Sequence, residues 1–264
     1  MQPARPRKRF GQNFLEDSGV INRIERAVAP REQDHLVEIG PGRGALTDAL
    51  IGSGCRLDVI ELDRDLTTGL LAAFSIHPHF RLHSADALQF DYASLLDASH
   101  ADDKRLRIVG NLPYNIATPL IFRLLASAGI IEDMHFMLQR EVVQRLAAEP
   151  GSGHWGRLGI MAQFHCHVEH LFDVPPTAFN PPPKVQSAVV RLVPWRSSPW
   201  PAVDIDRLRN TVQAAFAKRR KTLRNNLKGL ASDAQLEALH IDPGARAETL
   251  ELTDFIAIAN RLHE

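Results

Sequence analysis

Three glycines at alternate positions, Gly40, Gly42 and Gly44, stand between the apolar run His35-Leu36-Val37-Glu38-Ile39 and a stretch, 45–53, that reads as a helix with Gly54 as its stop. Glycine takes positive φ without penalty and lets a neighbouring backbone or ligand approach closely. A short apolar run entering such a loop reads as a buried parallel strand. The same alternation continues downstream. Residues 56–61, 80–84, 105–110 and 133–139 read as strands, and 64–74 and 116–127 as helices. Strands alternating with helices predict βαβ units and a mostly parallel sheet. A helix over 17–29 precedes them, capped by Asp17 or Ser18 and ended by Pro30. Residues 160–174 read as a helix end and then a strand, and 186–193 as another strand. These two are expected to form an antiparallel hairpin that closes the sheet.

Composition shifts at 194–204, PWRSSPWPAVD, which reads as a linker. Beyond it, apolar residues recur at helical spacing at Leu208, Val212, Ala215 and Phe216. They recur again at Leu236, Leu239, Phe255, Ile258 and Leu262. A boundary follows, with an α/β domain over 1–196 and a small helical domain over 197–264. The chain has 31 basic and 31 acidic residues, so net charge alone does not point to a nucleic acid. The distribution does. Arg5, Arg7, Lys8 and Arg9 form one block without acids, and Lys218, Arg219, Arg220, Lys221, Arg224 and Lys228 form a second. Such blocks fit a local polyanion footprint, or a solvated tail and a solvated helix face. Cys55 and Cys166 lack metal or disulfide spacing and fit a reducing cytoplasm. No apolar run is long enough for a membrane helix, and the basic N-terminus lacks the apolar core of a secretory signal.

Open α/β sheets bind ligands beyond the carboxyl ends of their strands. The loop spacing here is G-x-G-x-G, whereas dinucleotide folds use G-x-G-x-x-G to seat a pyrophosphate on a helix N-terminus. The difference favours S-adenosylmethionine, which has no phosphate, over NAD. Glu61 ends the second strand, where an acid accepts from ribose hydroxyls of either ligand. Asp86 ends the third, in Ser84-Ala85-Asp86-Ala87. Its carboxylate suits an adenine amino group, and a helix cap is the plainer alternative.

Asn111-Leu112-Pro113-Tyr114 follows the fourth strand directly. Adenine N6 is a poor nucleophile because its lone pair is delocalised into the ring. An asparagine oxygen and a nearby backbone carbonyl can accept its two N–H bonds and turn the lone pair toward a methyl donor. Pro113 fixes the backbone, and Tyr114 offers a flat face for a base. Positioning then supplies the rate. Such an N-x-P turn is also common at strand ends without function.

These motifs carry a resemblance over nearly the whole chain. Phe10-Gly11-Gln12-Asn13-Phe14-Leu15, Glu38 to Thr47, Glu61-Leu62-Asp63, Asp86-Ala87, Gly110 to Ile116, Phe179 to Val185 and Arg219 to Leu223 stand in family order. On them the chain resembles the bacterial small-subunit ribosomal RNA adenine N6,N6-dimethyltransferases, the kasugamycin-sensitivity methyltransferases. The resemblance implies a Rossmann-like class I methyltransferase fold, an α/β seven-stranded mostly parallel sheet, with a small C-terminal all-α domain. It implies that Asn13, Leu15, Gly40, Glu61, Asp86 and Asn111 hold S-adenosylmethionine. It implies that Asn111, Leu112, Tyr114 and Phe179 form the catalytic group, with Tyr114 and Phe179 sandwiching a flipped adenine. Arg219, Arg220, Lys221 and Arg224 would contact RNA. The implied partner is small-subunit rRNA in the assembling 30S subunit. A monomer acting in the cytoplasm is expected.

Two features depart from the family. Trp155, in Gly151-Ser152-Gly153-His154-Trp155-Gly156, stands where the family has a tyrosine, and zero net charge is low for an rRNA binder. His165-Cys166-His167, if a strand, would put two histidines on one face, but no third ligand is spaced nearby and no metal is expected. Three other readings compete: an antibiotic-resistance methyltransferase of large-subunit rRNA, a non-catalytic RNA-binding assembly factor, and an NAD-dependent oxidoreductase. The motifs at 179–185 and 219–223 argue against the first, the intact Asn111–Tyr114 motif against the second, and the glycine spacing against the third.

Overall fold

The computed structural model describes residues 13–96 and 105–261. The basic block at 5–9, Phe10 to Gln12 and Leu262 lie outside the described residues. The chain divides into two compact units, one built from described residues up to Val143 with Glu169–Pro194, the other from Gln144–Val168 with residues after Pro194.

The first unit is built on a seven-stranded sheet. In chain order its elements are β1 (Phe14–Leu15), α1 (Ser18–Val28), β2 (His35–Ile39), α2 (Ala45–Ile51), β3 (Arg56–Glu61), α3 (Arg64–Phe74) and β4 (Phe80–Ser84). There follow β5 (Leu106–Asn111), α4 (Ala117–Leu125), β6 (Ile131–Gln139) and α5 (Arg140–Leu146), which runs on into the second unit; then α6 (Arg157–His165), which belongs to the second unit; then β7 (Cys166–Val174), β8 (Phe179–Asn180) and β9 (Ser187–Pro194). The sheet order is β4-β3-β2-β5-β6-β9-β7. Pairs among β2 to β6 are parallel, and β9 runs antiparallel to β6. This order, with its parallel strands joined through helices, is a Rossmann-like α/β layout. Parallel strands joined through helices bring the ends of β2, β3, β4 and β5 to one edge. That edge carries Ile39, Glu61, Ser84 and Asn111.

Burial on both faces explains the unalternating strand sequences. All five residues of β2 are buried, as central parallel strands require. Val20, Ile24 and Val28 of α1 share one core with Leu46 and Leu50 of α2, Leu70 and Phe74 of α3, and the strand residues Leu36, Leu57 and Val109. Each such side chain contributes about 1.5–3 kcal/mol by leaving water. Asp17 caps α1 by accepting from Val20 N at 2.9 Å. At its far end Ala29 takes φ 46, and Arg107 of β5 donates to Val28 O at 2.6 Å while pairing with Asp34 and Asp133. One guanidinium thus satisfies a helix-end carbonyl and ties α1 to two strands.

Several boundaries differ from the sequence reading. The helix expected over 45–53 ends at Ile51 with Gly52 as its cap, because Gly54 already serves the turn into β3 with φ 77. Strand β6 begins two residues early, at Ile131. Helix α5 has no counterpart in the sequence reading. His165 ends α6, and β7 begins at Cys166. The two histidines therefore do not share a strand face, and no group of three metal-ligating side chains occurs among the described residues. No helix among them is long and apolar enough to cross a membrane.

The second unit has its own core. Helix α7 (Ile205–Ala215) supplies Leu208 and Val212, and α10 (Leu252–Arg261) supplies Phe255 and Ile258. Between them lie α8 (Leu223–Asn226) and α9 (Asp233–Ala238), the latter opened by a Ser232–Gln235 capping box. Trp155 is buried in this core, and its indole N–H donates to Leu250 O at 2.8 Å. The ring packs in the core with its polar atom satisfied.

Candidate active site

The strand-end edge of the first unit opens into a pocket. Its walls include Asn13 to Leu15, the glycine loop, Glu61, Asp86 and Asn111 to Ile116. The glycine loop makes a tight return between β2 and α2. Gly40, Gly42 and Gly44 take φ 68, 61 and 85, a region that strains any residue with a Cβ. Space excludes larger residues as well. A Cβ on Gly42 would meet the Phe14 ring at 3.0 Å, and one on Gly44 would meet Phe74 at 2.6 Å.

Glu61 is buried at the tip of β3, accepting from Asp63 N at 2.8 Å and Gly42 N at 3.4 Å. Burial pushes its carboxyl pKa upward, and the two backbone N–H bonds oppose that shift. Each oxygen keeps lone-pair capacity for a further donor. Glu38 is 2 % exposed and accepts from Thr47 Oγ1 at 2.6 Å. Burial raises it to about 7, the Thr47 bond opposes the rise, and the charge of Glu61 adds to it. Asp86 is a turn cap at the pocket wall. Its oxygens accept from Leu88 N at 2.9 Å and Gln89 Nε2 at 3.1 Å, as a turn cap does, and the residue lines the pocket.

Asn111 ends β5, and its side-chain amide donates to Asn13 O at 3.2 Å. A backbone carbonyl only accepts, so the NH2 faces Asn13 and Oδ1 is left to face elsewhere. Leu112 is buried and its N–H donates to Met137 O at 3.2 Å. Tyr114 lines the pocket, half-buried, with its hydroxyl 2.8 Å from Ser187 Oγ. Burial raises the Tyr114 pKa, keeping the phenol protonated.

The structure thus brings Asn13, Leu15, Gly40, Glu61, Asp86, Asn111, Leu112 and Tyr114 to one pocket. Phe179 is elsewhere. It is 5 % exposed, pairs with Leu15 across β1 and β8, and packs in the apolar core. In the second unit Arg220 and Lys221 are exposed. Arg219 donates to Gly153 O at 2.7 Å, and Arg224 pairs with Asp233 at 2.7 Å. Glu38, Phe14 and Arg43 also line the pocket, and the sequence reading gave none of them a site role. An acid inside the otherwise apolar HLVEI run is a usable signal for Glu38. Nothing periodic marks the other two.

The charge of the walls favours a cationic ligand. Glu38, Glu61, Asp63 and Asp86 line the pocket, and Arg43 is its one basic residue among the described residues. A pyrophosphate would meet a cluster of acidic side chains there, which like-charge repulsion disfavours.

Comparison with known proteins shows the family. The sequence model of the family described as Ribosomal RNA adenine dimethylase matches residues 4–264. The chain is 60% identical over 260 residues to Ribosomal RNA small subunit methyltransferase A of Pseudomonas aeruginosa, covering 98% of this chain and 96% of that one. It is 56% identical over 262 residues to the protein of the same name in Saccharophagus degradans, covering 99% and 96%. Among solved structures it is similar to the 23S rRNA methyltransferase ErmE, with TM-score 0.74, 25% identity, and coverage of 96% of this chain and 100% of that one. A dimethyladenosine transferase from Plasmodium falciparum shares the fold, with TM-score 0.79, 24% identity and coverage of 93% and 95%.

Proposed function

The chain belongs to the Ribosomal RNA adenine dimethylase family, and on that premise we propose that it transfers methyl groups from S-adenosylmethionine to N6 of two adjacent adenosines. The target is a hairpin loop near the 3′ end of small-subunit rRNA, and the product is N6,N6-dimethyladenosine. The observation that carries this reading is the orientation of Asn111 in an acid-lined pocket. Its relatives' name, a small-subunit rRNA methyltransferase, supports the choice of RNA over that of the large-subunit enzymes.

The residues present fit the methyl donor. Glu61 would hold its ribose, Asp86 its adenine, and the Asn13–Leu15 backbone and Gly40 its amino-acid part. When bound, S-adenosylmethionine supplies a methyl group on a positively charged sulfur, which is a good leaving group. The protein's own part is positional. Asn111 Oδ1 accepts an N–H of the target amino group and draws its lone pair out of the ring. Tyr114 stacks against the extruded base, its ring steadied by the Ser187 hydrogen bond. For Phe179 to complete a sandwich, β8 has to turn that ring out of the core. No strong general base is required, because the methylated nitrogen is cationic and loses its proton readily to solvent.

Arg219, Arg220, Lys221 and Arg224 form the phosphate-contacting stretch of a small C-terminal helical domain over 197–264, appended to a methyltransferase domain over 1–196. Arg220 and Lys221 are the stronger pair, since Arg224 is already matched by Asp233. The enzyme works as a monomer in the cytoplasm, on the 30S subunit late in assembly.

The test is methyl transfer from labelled S-adenosylmethionine to undermethylated small subunits, with nucleoside analysis of the product. Dimethyladenosine is expected with the wild type and lost with Asn111→Ala. Full activity in Asn111→Ala would overturn the catalytic assignment, and transfer to large-subunit RNA alone would overturn the substrate.

A further inference from the structure

Four side chains outside the strand-end acids join the N-terminal segment to the glycine loop and to β8. Arg43, in the glycine loop, lies with its guanidinium carbon 4.4 Å from the centre of the Phe14 ring. Its Nη1 donates to Glu16 Oε1 at 3.1 Å. The same Glu16 oxygen accepts from Asn180 Nδ2 at 3.2 Å. Phe14 pairs with Asn180 across the two-residue strands β1 and β8, and its ring rests against Gly42. Further along, Glu16 N and Asp17 N both donate to Ala178 O, at 2.9 and 3.2 Å.

Asn13, immediately before this clasp, carries the carbonyl that receives the Asn111 amide. A two-residue strand pair fixes little by itself, because few ladder bonds oppose the backbone entropy lost. The stacked guanidinium and the shared carboxylate supply what the short pairing lacks. Were Asn13 O to drift, Asn111 would lose the one contact shown to settle which end of its amide faces the pocket.

We propose that Glu16, Arg43, Phe14 and Asn180 form a positioning clasp whose task is to hold the Asn13 carbonyl, and through it to keep Asn111 Oδ1 turned toward the substrate amino group. None of the four is a catalytic residue. Glu16 is the informative member, since it bridges two elements from a half-exposed position outside the pocket walls. The inference deepens the proposed methyl transfer and rests on that reading for its kinetic consequence.

The experiment follows the full-length protein by two readouts. The first is the NMR signal of the Asn111 side-chain amide, assigned by its disappearance in Asn111→Asp, with hydrogen exchange reporting its bond to Asn13. The second is the single-turnover rate of methyl transfer to undermethylated small subunits at saturating S-adenosylmethionine. Glu16→Ala and Arg43→Ala are each expected to speed exchange of that amide and to slow transfer by about tenfold, as misplacement of a reacting group does. The double variant should be no slower than the slower single one, because both act through one contact. Glu16→Gln, whose amide oxygen still accepts, should recover most of the rate. Unchanged exchange in both alanine variants would overturn the clasp, as would rate losses that multiply in the double variant or a Glu16→Gln no better than Glu16→Ala. A wild type that transfers no methyl group would refute the proposed function instead, while the amide signal would still judge the clasp.

Discussion

Gly110 stands directly before Asn111 at the carboxyl end of β5, and a Cβ built there would lie 2.6 Å from Ile39 O and 3.0 Å from Leu112 Cδ2. A carbon–oxygen contact settles at roughly 3.3 Å, so alanine would be short of room by about 0.7 Å. The obstructing atom is backbone of the neighbouring strand, and Leu112 is itself buried, so neither can swing aside. Relief requires β5 to part from β2 at the level of the glycine loop. Overpacking of this kind costs about 1–3 kcal/mol. With a melting shift of about 2–4 °C for each kcal/mol in a chain of this size, Gly110→Ala should melt several degrees early. The kinetic effect should be larger in proportion. A 1 Å misplacement of a reacting group costs on the order of a hundredfold, so a displacement near 0.7 Å should slow transfer by about tenfold or more. Gly129→Ala is the matched control, since nothing lies within 4 Å of a Cβ there. Thermal melting and single-turnover transfer at saturating cofactor are the assays. A Gly110→Ala protein with wild-type rate and a melting point within about a degree of wild type would refute the reasoning.

Three further outcomes follow from groups already described. Glu38 is raised in the folded protein, so the unfolded chain loses its proton first, and this group makes stability fall as pH rises from 4.5 to about 7. Glu38→Gln should remove that slope and stabilise the protein at pH 8 by up to roughly 3 kcal/mol, read from denaturant unfolding across pH. Parallel curves for variant and wild type would contradict this. His135, buried on β6, is held down to about 4 mainly by burial, so the unfolded chain gains its proton first and stability is lost as pH falls from 6.5 to about 4. His135→Phe should flatten that loss; an unchanged acid limb would show that His135 does not cause it. Arg220→Ala with Lys221→Ala should weaken RNA binding and lower the slope of log affinity against log salt by roughly 1.5, for two lost phosphate contacts. An unaltered slope would remove both residues from the RNA surface.

The parts legible in the sequence were those fixed by local chemistry. Strand β3 and helix α3 run over the residues their patterning marked, 56–61 and 64–74, because a buried parallel strand and an Asp63-capped amphipathic helix each declare themselves within a dozen residues. The acids at strand ends were legible for the same reason, since topology alone carries Glu61 and Asp86 to the ligand edge. What escaped depends on distant partners. Helix α5 follows β6 with no intervening turn signal and is only seven residues long. Strands β1 and β8 are too short for any periodicity to show. Arg43 carries no local mark, since its partners Phe14 and Glu16 come from far upstream. Phe179 illustrates the converse. A rigid proline-flanked loop suggests a presented ring, yet the pairing with Leu15 puts that ring in the core.

The pairing of Phe14 with Asn180 joins positions 166 residues apart in the chain. During synthesis the glycine loop, the strand-end acids and Asn111 all emerge well before the segment that clamps them. The five parallel strands between residues 35 and 139 pair across at most 71 residues, a far shorter span to close. The cleft stays unfinished until residue 180 has been made, and a nascent or truncated chain ending before it would hold the five parallel strands, without β9, and an unclamped mouth. Maturation of the pocket is thereby placed late in the life of the nascent chain, after most of its scaffold already stands.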